Sequence, residues 1–287
     1  MTERADLATD TWEGDRSRRW VAQSAGLERQ LAPVGELLFA AAALRPGEAV
    51  LDVGCGTGPT TYEAAALVGP EGRVAGVDIS ATMLEAARAV DAESPIEWIT
   101  EDVTTWDGGD RRFDAVISRY GAMFFDDPPR AFTNLAGMTV PGGRLAMTVW
   151  QQRPASEMFE LPLSVAMRTL ADAGVEVPEP PLDQGPFSLS DRVAVTTMLG
   201  AAGWVDVEWA PHELTLSIGG GLPPAEAATS SMELGPTRVV TEDVDEEKNG
   251  RVLAAITEEY GRHTDENGHV RLGAAIVVVT ARRPEDG

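Results

Sequence analysis

Cysteine is nearly absent from this chain. Cys55 is the only one in 287 residues, which excludes an intrachain disulfide and any metal site built from several thiolates. Lysine is as scarce: of 23 basic residues only Lys248 is a lysine, a bias that belongs to a GC-rich genome rather than to a function. Positive charge is short overall, with 46 Asp and Glu against 23 Lys and Arg and a formal net charge of −23. A surface that negative repels phosphate backbones and anionic lipid, so nucleic acid and membrane surfaces are poor partners. A locally basic substrate pocket remains compatible with it. No apolar run approaches the roughly 20 residues that a bilayer span needs. The polar start Met1-Thr2-Glu3-Arg4-Ala5-Asp6 lacks the apolar core of a signal peptide, so the expectation is a soluble, cytoplasmic protein.

What is present is an ordinary globular balance, 43% hydrophobic, in a chain long enough to bury a substantial core. From about residue 30 to 150, helix-period and strand-like segments alternate. Residues 31–44 read as a helix, stopped by Arg45-Pro46-Gly47, and 49–53 as a buried strand. Residues 59–68 resume helical spacing until Gly69-Pro70-Glu71-Gly72 breaks it. Strands follow at 73–78, 96–100, 113–118 and 144–150, with helices at 81–91, capped by Ser80, and at 128–138. Such alternation implies parallel strands with helices on both faces.

After residue 150 the rhythm is lost. A helix near 155–173 precedes the proline-rich stretch Val177-Pro178-Glu179-Pro180-Pro181; Ser190 or Asp191 can cap a helix over 191–202. Residues 204–210 alternate like a sixth strand, and 274–280 form an apolar final one. The expected organisation is therefore an N-terminal helical segment (1–45), a core (46–150), a lid insertion (151–189), more core (190–210), a second lid insertion (211–272) and a last strand with its tail (273–287). Insertions after the fifth and sixth strands should meet over the strand ends, where open α/β sheets bind ligands.

The chemistry is concentrated in the turn Asp52-Val53-Gly54-Cys55-Gly56-Thr57-Gly58. A strand-glycine-helix turn brings backbone N–H groups to a ligand without side chains in the way. Pro59 stands where a dinucleotide fingerprint needs its third glycine, and no P-loop Gly-Lys-Ser/Thr follows. Asp78 ends the second strand, 20 residues after Gly58, where a carboxylate can accept ribose hydroxyls. Asp102 follows the third strand. An isolated aspartate reads as a solvated strand end or a helix cap. Three acidic residues at the ends of successive strands reverse that reading.

These residues resemble those of the class I S-adenosylmethionine (SAM)-dependent methyltransferases, over nearly the whole chain. LDVGCGTG (51–58) is similar to the family's first motif, GVDIS (76–80) to its ribose-binding strand end, and EDV (101–103) to its adenine segment. FDAVISRYGAMFF, PGGRLAMTVW, AAGWVDVEW and the Val277 strand resemble the fourth to seventh strands, the last antiparallel. The resemblance implies a Rossmann-like, doubly wound seven-stranded α/β sheet with helical lid insertions, and SAM as cofactor. Gly54, Gly56 and Gly58 would line its methionine part, and Asp52 would orient the turn and the amino group, directly or through water. Asp78 would hold the ribose, Ile79 and Val103 would flank the adenine, and Asp102 would meet its amine. The backbone at Ser118 and Arg119 would face the methionine amine. Acidic lining suits a cofactor bearing a sulfonium and an ammonium.

SAM carries its own leaving group, so the protein must align a nucleophile and exclude water, effects worth roughly 7–11 kcal/mol. A base is needed only for a protonated nucleophile. The candidates are His212, expected after the sixth strand near the lid, and Tyr120, after the fourth strand, each with a packing or hydrogen-bonding role as the alternative. His263 and His269 are expected to be solvated, Asp126 and Asp127 to start a helix, and Cys55 to pack. Trp20, Tyr120, Met123 and Trp150 are the expected substrate-pocket residues, with Trp12, Phe124 and Phe125 near them; no metal is expected. The expected activity is methyl transfer to oxygen, nitrogen or carbon of a small molecule of secondary metabolism, by a monomer or homodimer. A SAM-fold protein repurposed for non-methylating chemistry, as a cyclase, hydrolase or binding protein, is the alternative. A nicotinamide dehydrogenase is disfavoured by Pro59.

Overall fold

The computed structural model describes Trp12 and residues 14–285; the polar N-terminal hexapeptide lies outside the described residues. The sheet domain opens with α1 (Asp15–Ala42), followed by β1 (Ala49–Val53), α2 (Pro59–Val68), β2 (Arg73–Asp78), α3 (Ala81–Val90) and β3 (Glu97–Thr100). β4 (Phe113–Arg119), α4 (Pro128–Met138) and β5 (Thr139–Trp150) complete its first half. α5 (Glu157–Asp172) leads out of the sheet, and α6 (Arg192–Ala201) leads back into β6 (Val205–Ser217). α7 (Pro224–Glu233), α8 (Gly235–Thr241) and α9 (Glu246–Tyr260) then precede β7 (Arg271–Arg282).

The strand order is β3-β2-β1-β4-β5-β7-β6. The first five strands are parallel, and β7 runs antiparallel between β5 and β6. Alternation along each strand feeds two cores. Leu51, Val116 and Met147 face one core with Phe132 of α4 and Leu199 of α6. Val50, Ile117 and Ala146 face the other with Leu38 of α1 and Ala64 of α2. Both faces are thus covered, as near-continuous apolar strands require.

Local signals hold closely. Ser80 caps α3, accepting from the Met83 N–H, Asp127 caps α4 and Asp191 caps α6. Four boundaries differ. β5 begins at Thr139 rather than at residue 144, so Pro141-Gly142-Gly143 lies within the strand. The first helix begins at Asp15 rather than at residue 31 and runs through Pro33. β6 continues past residue 210 to Ser217, pairing with β7 down to Arg271. The second insertion is accordingly 218–270. It packs against the first: Leu163, Val165 and Leu170 of α5 share a third core with Ala227, Val240, Val252, Ile256 and Tyr260. Arg153, buried, ties the proline-rich stretch to this lobe by ion pairs to Glu160 and Glu179 and a 2.7 Å bond to the Pro180 carbonyl. Among the described residues no helix is long and apolar enough to cross a membrane.

Candidate functional site

The β1–α2 turn is held from three sides. Gly54 and Cys55 donate to the Val77 carbonyl at 2.8 and 3.2 Å, which binds the turn to β2. Gly54 has φ +64°, and a Cβ there would lie 2.6 Å from the Gly121 Cα. At Gly58, φ is +86° and a Cβ would meet the Trp98 ring at 2.5 Å. Both the backbone conformation and the neighbours demand glycine. Asp78 closes the third side: its carboxylate accepts from the Gly56 N–H and the Ser80 N–H, each at 2.8 Å, and burial pushes its carboxyl above the usual range.

Asp52 sits behind this turn. It is fully buried, accepts from the Thr60 and Thr61 hydroxyls at 2.6 and 2.7 Å, and leaves Oδ1 without a hydrogen-bond partner. Burial lifts its carboxyl to about 6, against the two hydroxyls, which favour the charged form.

A cavity with about 1070 Å³ of empty space opens over these strand ends. Gly54, Gly56, Asp78, Ile79, Asp102, Val103 and Arg119 line it together, as expected from their spacing. Asp52, Gly58 and Ser118 do not. Asp52 and Gly58 shape the turn from behind, and the Ser118 hydroxyl donates to the Val53 carbonyl at 2.8 Å while accepting from Ala122 N–H. Asp102 is engaged locally by the Thr104 N–H at 2.8 Å and the Thr104 hydroxyl at 2.6 Å. α1 roofs the cavity. Its Ser17 accepts from Ser80 Oγ at 2.9 Å, and its Glu28 pairs with Arg119 at 3.1 Å. Glu28 had no signal in the sequence beyond its place on a helix.

A second cavity, with about 1250 Å³ of empty space, adjoins the first. Trp12, Trp20, Leu27, Leu31, Tyr120 and Phe124 line both, so these side chains form the partition. Trp12 meets Trp20 and Phe124 edge-to-face at 5.7 and 4.9 Å. Tyr120 has φ +67°, a left-handed conformation uncommon for a bulky residue and concentrated at functional sites. Its ring stacks on Trp150 at 4.2 Å, and Trp150 meets Phe159 edge-on at 5.0 Å. The Tyr120 hydroxyl is buried without a hydrogen-bond partner, and burial raises its pKa well above the ordinary value. Trp20, Tyr120, Met123 and Trp150 all line this second cavity, alongside Phe159 and Pro162 of α5 and residues of α7 and α8.

His212 needs correction. It lies inside β6, opposite Ile276, on the edge strand, and lines neither cavity. The misplacement follows from ending the strand at residue 210; β6 runs on through Pro211, which an edge strand tolerates. His263 is not simply solvated, since its ring nitrogens stand 3.5 and 3.6 Å from the Glu157 and Glu259 carboxylates. His269 lies against Gly221. Among the described residues, no group of three or more His, Cys, Asp or Glu could hold a metal ion.

The glycine turn, the strand-end carboxylates and the cavity lie at the carboxyl ends of parallel strands, the place where open α/β sheets bind ligands. A family profile described as a methyltransferase domain matches residues 50–143. The chain is 31% identical over 266 residues to nocamycin O-methyltransferase from Saccharothrix syringae, 89% of this chain and 92% of that protein. It belongs to the class I SAM-dependent methyltransferase family. It is also 36% identical over 119 residues to aklanonic acid methyltransferase DauC from Streptomyces sp. (strain C5), 40% of this chain and 54% of that protein. Two solved structures share the fold. The YcgJ protein from Bacillus subtilis has a TM-score of 0.56 at 15% identity, covering 89% of this chain and 100% of that one. The [4+2]-cyclase SpnF has a TM-score of 0.50 at 18% identity, covering 88% and 81%.

Proposed function

We propose that this chain is a SAM-dependent O-methyltransferase acting on a small molecule of secondary metabolism, with SAM in the first cavity and the acceptor in the second. The observation that carries this reading is the pair of cavities sharing one wall at Tyr120. A donor and an acceptor must meet end to end, and a common partition is where they can. The first cavity fits the cofactor's chemistry. Its turn presents bare backbone, and carboxylates from Glu28, Asp78, Glu101, Asp102 and Asp126 line it, a setting for a cation rather than a pyrophosphate. Oxygen as acceptor atom is supported by the name of the relative that matches along most of both chains.

In this reading Asp78 accepts the ribose hydroxyls, Ile79 and Val103 flank the adenine, and Asp102 faces its amine. Arg119 and the turn from Gly54 to Gly56 hold the amino-acid end, with Asp52 stiffening the turn through Thr60 and Thr61. When bound, SAM supplies a methyl group on a sulfonium leaving group. The protein contributes orientation and exclusion of water, with α1 as roof and the Trp12, Trp20 and Phe124 rings as an apolar collar. We read the partners as a small molecule, not nucleic acid or membrane, the location as cytoplasmic, and the assembly as monomer or homodimer.

Calorimetric titration with SAM and S-adenosylhomocysteine (SAH), followed by mass-spectrometric detection of SAH release with aromatic hydroxy and carboxylic acceptors, tests the proposal. Tight NAD binding without SAM binding would overturn it. A second reading, non-methylating chemistry on the same fold, has one observation in its favour: the fold is shared with a protein described as a [4+2]-cyclase. SAM binding with substrate conversion but no SAH release would select it.

A further inference from the structure

Aromatic residues are scarce in this chain, at 6%, and they gather around the second cavity. Of the 26 described residues that line it, six are aromatic: Trp12, Trp20, Tyr120, Phe124, Trp150 and Phe159. They fall into two groups. In the first, Trp12 meets Trp20 and Phe124 edge-to-face. In the second, Tyr120 stacks on Trp150 with planes 10° apart, and Trp150 meets Phe159 edge-on. Among the described residues, no ring of one group contacts a ring of the other. Both groups line the same empty space, so an occupant of that space is what can touch both.

The polar side chains of this wall are engaged from within the protein. Gln30 accepts from the Gly219 N–H at 2.6 Å, and the Ser230 hydroxyl donates to Gln23 at 2.7 Å. Ser231 and Tyr260 share a hydrogen bond of 2.8 Å. Glu233 accepts from Gln23 at 2.6 Å, and Arg238 is paired with Glu242. Neither Arg16 nor Arg19 is without a partner, and the Arg16 guanidinium lies 3.9 Å from the Trp12 ring centroid. Ring surface is therefore what the wall offers an occupant, together with the thioethers of Met123 and Met158. Such groups favour stacked, edge-to-face and sulfur–aromatic contacts. Trp12, Trp20, Phe124 and Phe159 are only half-buried, so their rings keep area that an occupant can cover.

We propose that the second cavity takes an uncharged, planar acceptor of two or more fused aromatic rings, held between the Trp12–Trp20–Phe124 collar and the Tyr120–Trp150–Phe159 group. This rests on the methyltransferase reading above, which needs an acceptor beside the cofactor's cavity. Size agrees with it, since a single ring cannot fill about 1250 Å³ of empty space. It would leave apolar wall against water, and further rings remove that contact. A rigid, flat ligand also loses little conformational freedom on binding. A charge placed among the rings would lose its hydration without gaining a free partner, which is costly.

The test is calorimetric binding to the SAH-loaded full chain at neutral pH, with phenol, 2-naphthol, decahydro-2-naphthol and 2-naphthoate as probes. 2-Naphthol is expected to bind about fivefold tighter than phenol, through the apolar area of its second ring. It should also bind about fivefold tighter than its saturated counterpart, which is no less apolar but presents no ring faces. The naphthoate anion should bind no tighter than 2-naphthol. Phe159 lines the second cavity and not the first. Phe159→Leu should cut the preference for 2-naphthol over decahydro-2-naphthol about threefold and leave SAH affinity within about twofold. Trp20→Leu should lower the same preference, and serves if Phe159→Leu fails to fold. Equal affinity for the aromatic and saturated alcohols, no gain from phenol to 2-naphthol, or tighter binding of naphthoate would overturn the proposal. So would a folded variant that keeps the full preference, or no binding of 2-naphthol at its solubility limit. SAH binding measured in the same series separates the failures. If SAH does not bind, the cofactor reading falls; if it binds and the aromatic probe gains nothing, only the aromatic acceptor falls.

Discussion

The two cavities over the strand ends share a wall but are built in opposite ways. The first takes its floor from residues 53–126, where each strand end follows its predecessor in sequence, and only Trp12 and α1 come from elsewhere. The second draws on α1, the ends of β4 and β5, α5, α7 and α8, so its walls span residues 12–242. The first is carboxylate-rich and the second carries the arginines. The difference follows from topology. Parallel strands deliver their carboxyl ends to one place automatically, whereas an acceptor pocket must be closed by whatever the insertions bring over the sheet.

The comparison can be broken most forcefully at Trp150, which lines the second cavity and backs Tyr120 of the partition. Trp150→Ala removes the stack on Tyr120 and the contact with Phe159, and should destabilise the fold by about 3–5 kcal/mol, read by urea denaturation. A loss below about 1 kcal/mol would mean that this wall is not a packed element. Next in size is Asp52. Its carboxyl is raised to about 6 in the fold from an ordinary 3.8, so the folded state holds the proton more tightly than the unfolded chain. Stability from this group is therefore present below about pH 4 and lost as pH rises through about 6. The loss is on the order of 3 kcal/mol. Unfolding free energies from pH 4 to 7 should show that fall in the wild type relative to Asp52→Asn, and parallel curves would refute it.

Asp78→Ala tests the cofactor side alone. SAH affinity, measured by calorimetry, should drop by about 1–3 kcal/mol through lost charge-assisted hydrogen bonds. Unchanged SAH affinity would mean the ribose lies elsewhere. The smallest effect is expected at Tyr120, whose hydroxyl is buried without a partner. Tyr120→Phe should leave stability unchanged or raise it by up to about 1 kcal/mol, measured by denaturation without ligand. A clear loss would show that the hydroxyl has a partner in the folded protein.

Legibility in the sequence followed the same division. Ser80, Asp127 and Asp191 announced their helices because a cap is a contact across three residues. Gly54, Gly56, Asp78 and Asp102 could be brought together on paper because a strand and its following turn fix where a side chain lands. Where the reading relied on an ending, it slipped. Ending the sixth strand at residue 210 assigns His212 to a lid insertion, although it lies within β6. The N-terminal segment reads as helical, but its periodicity is clear only from residue 31; the helix starts at Asp15 and presents Arg16, Arg19 and Trp20 to one cavity at helical spacing. That spacing was available as a signal, but without a partner surface its polar and aromatic residues form no apolar stripe.

By itself, then, the sequence determined the sheet, the glycine turn and the family, because these depend on periodicity and on short-range steric demands. Tertiary structure decided that Asp52 would stand behind the turn rather than in the cavity, that Glu28 would answer Arg119, and that Arg238 would join Arg16 and Arg19. Each of those is an encounter between residues far apart in the chain. No local rule encodes them; they arise from packing α1 and the two insertions over the strand ends.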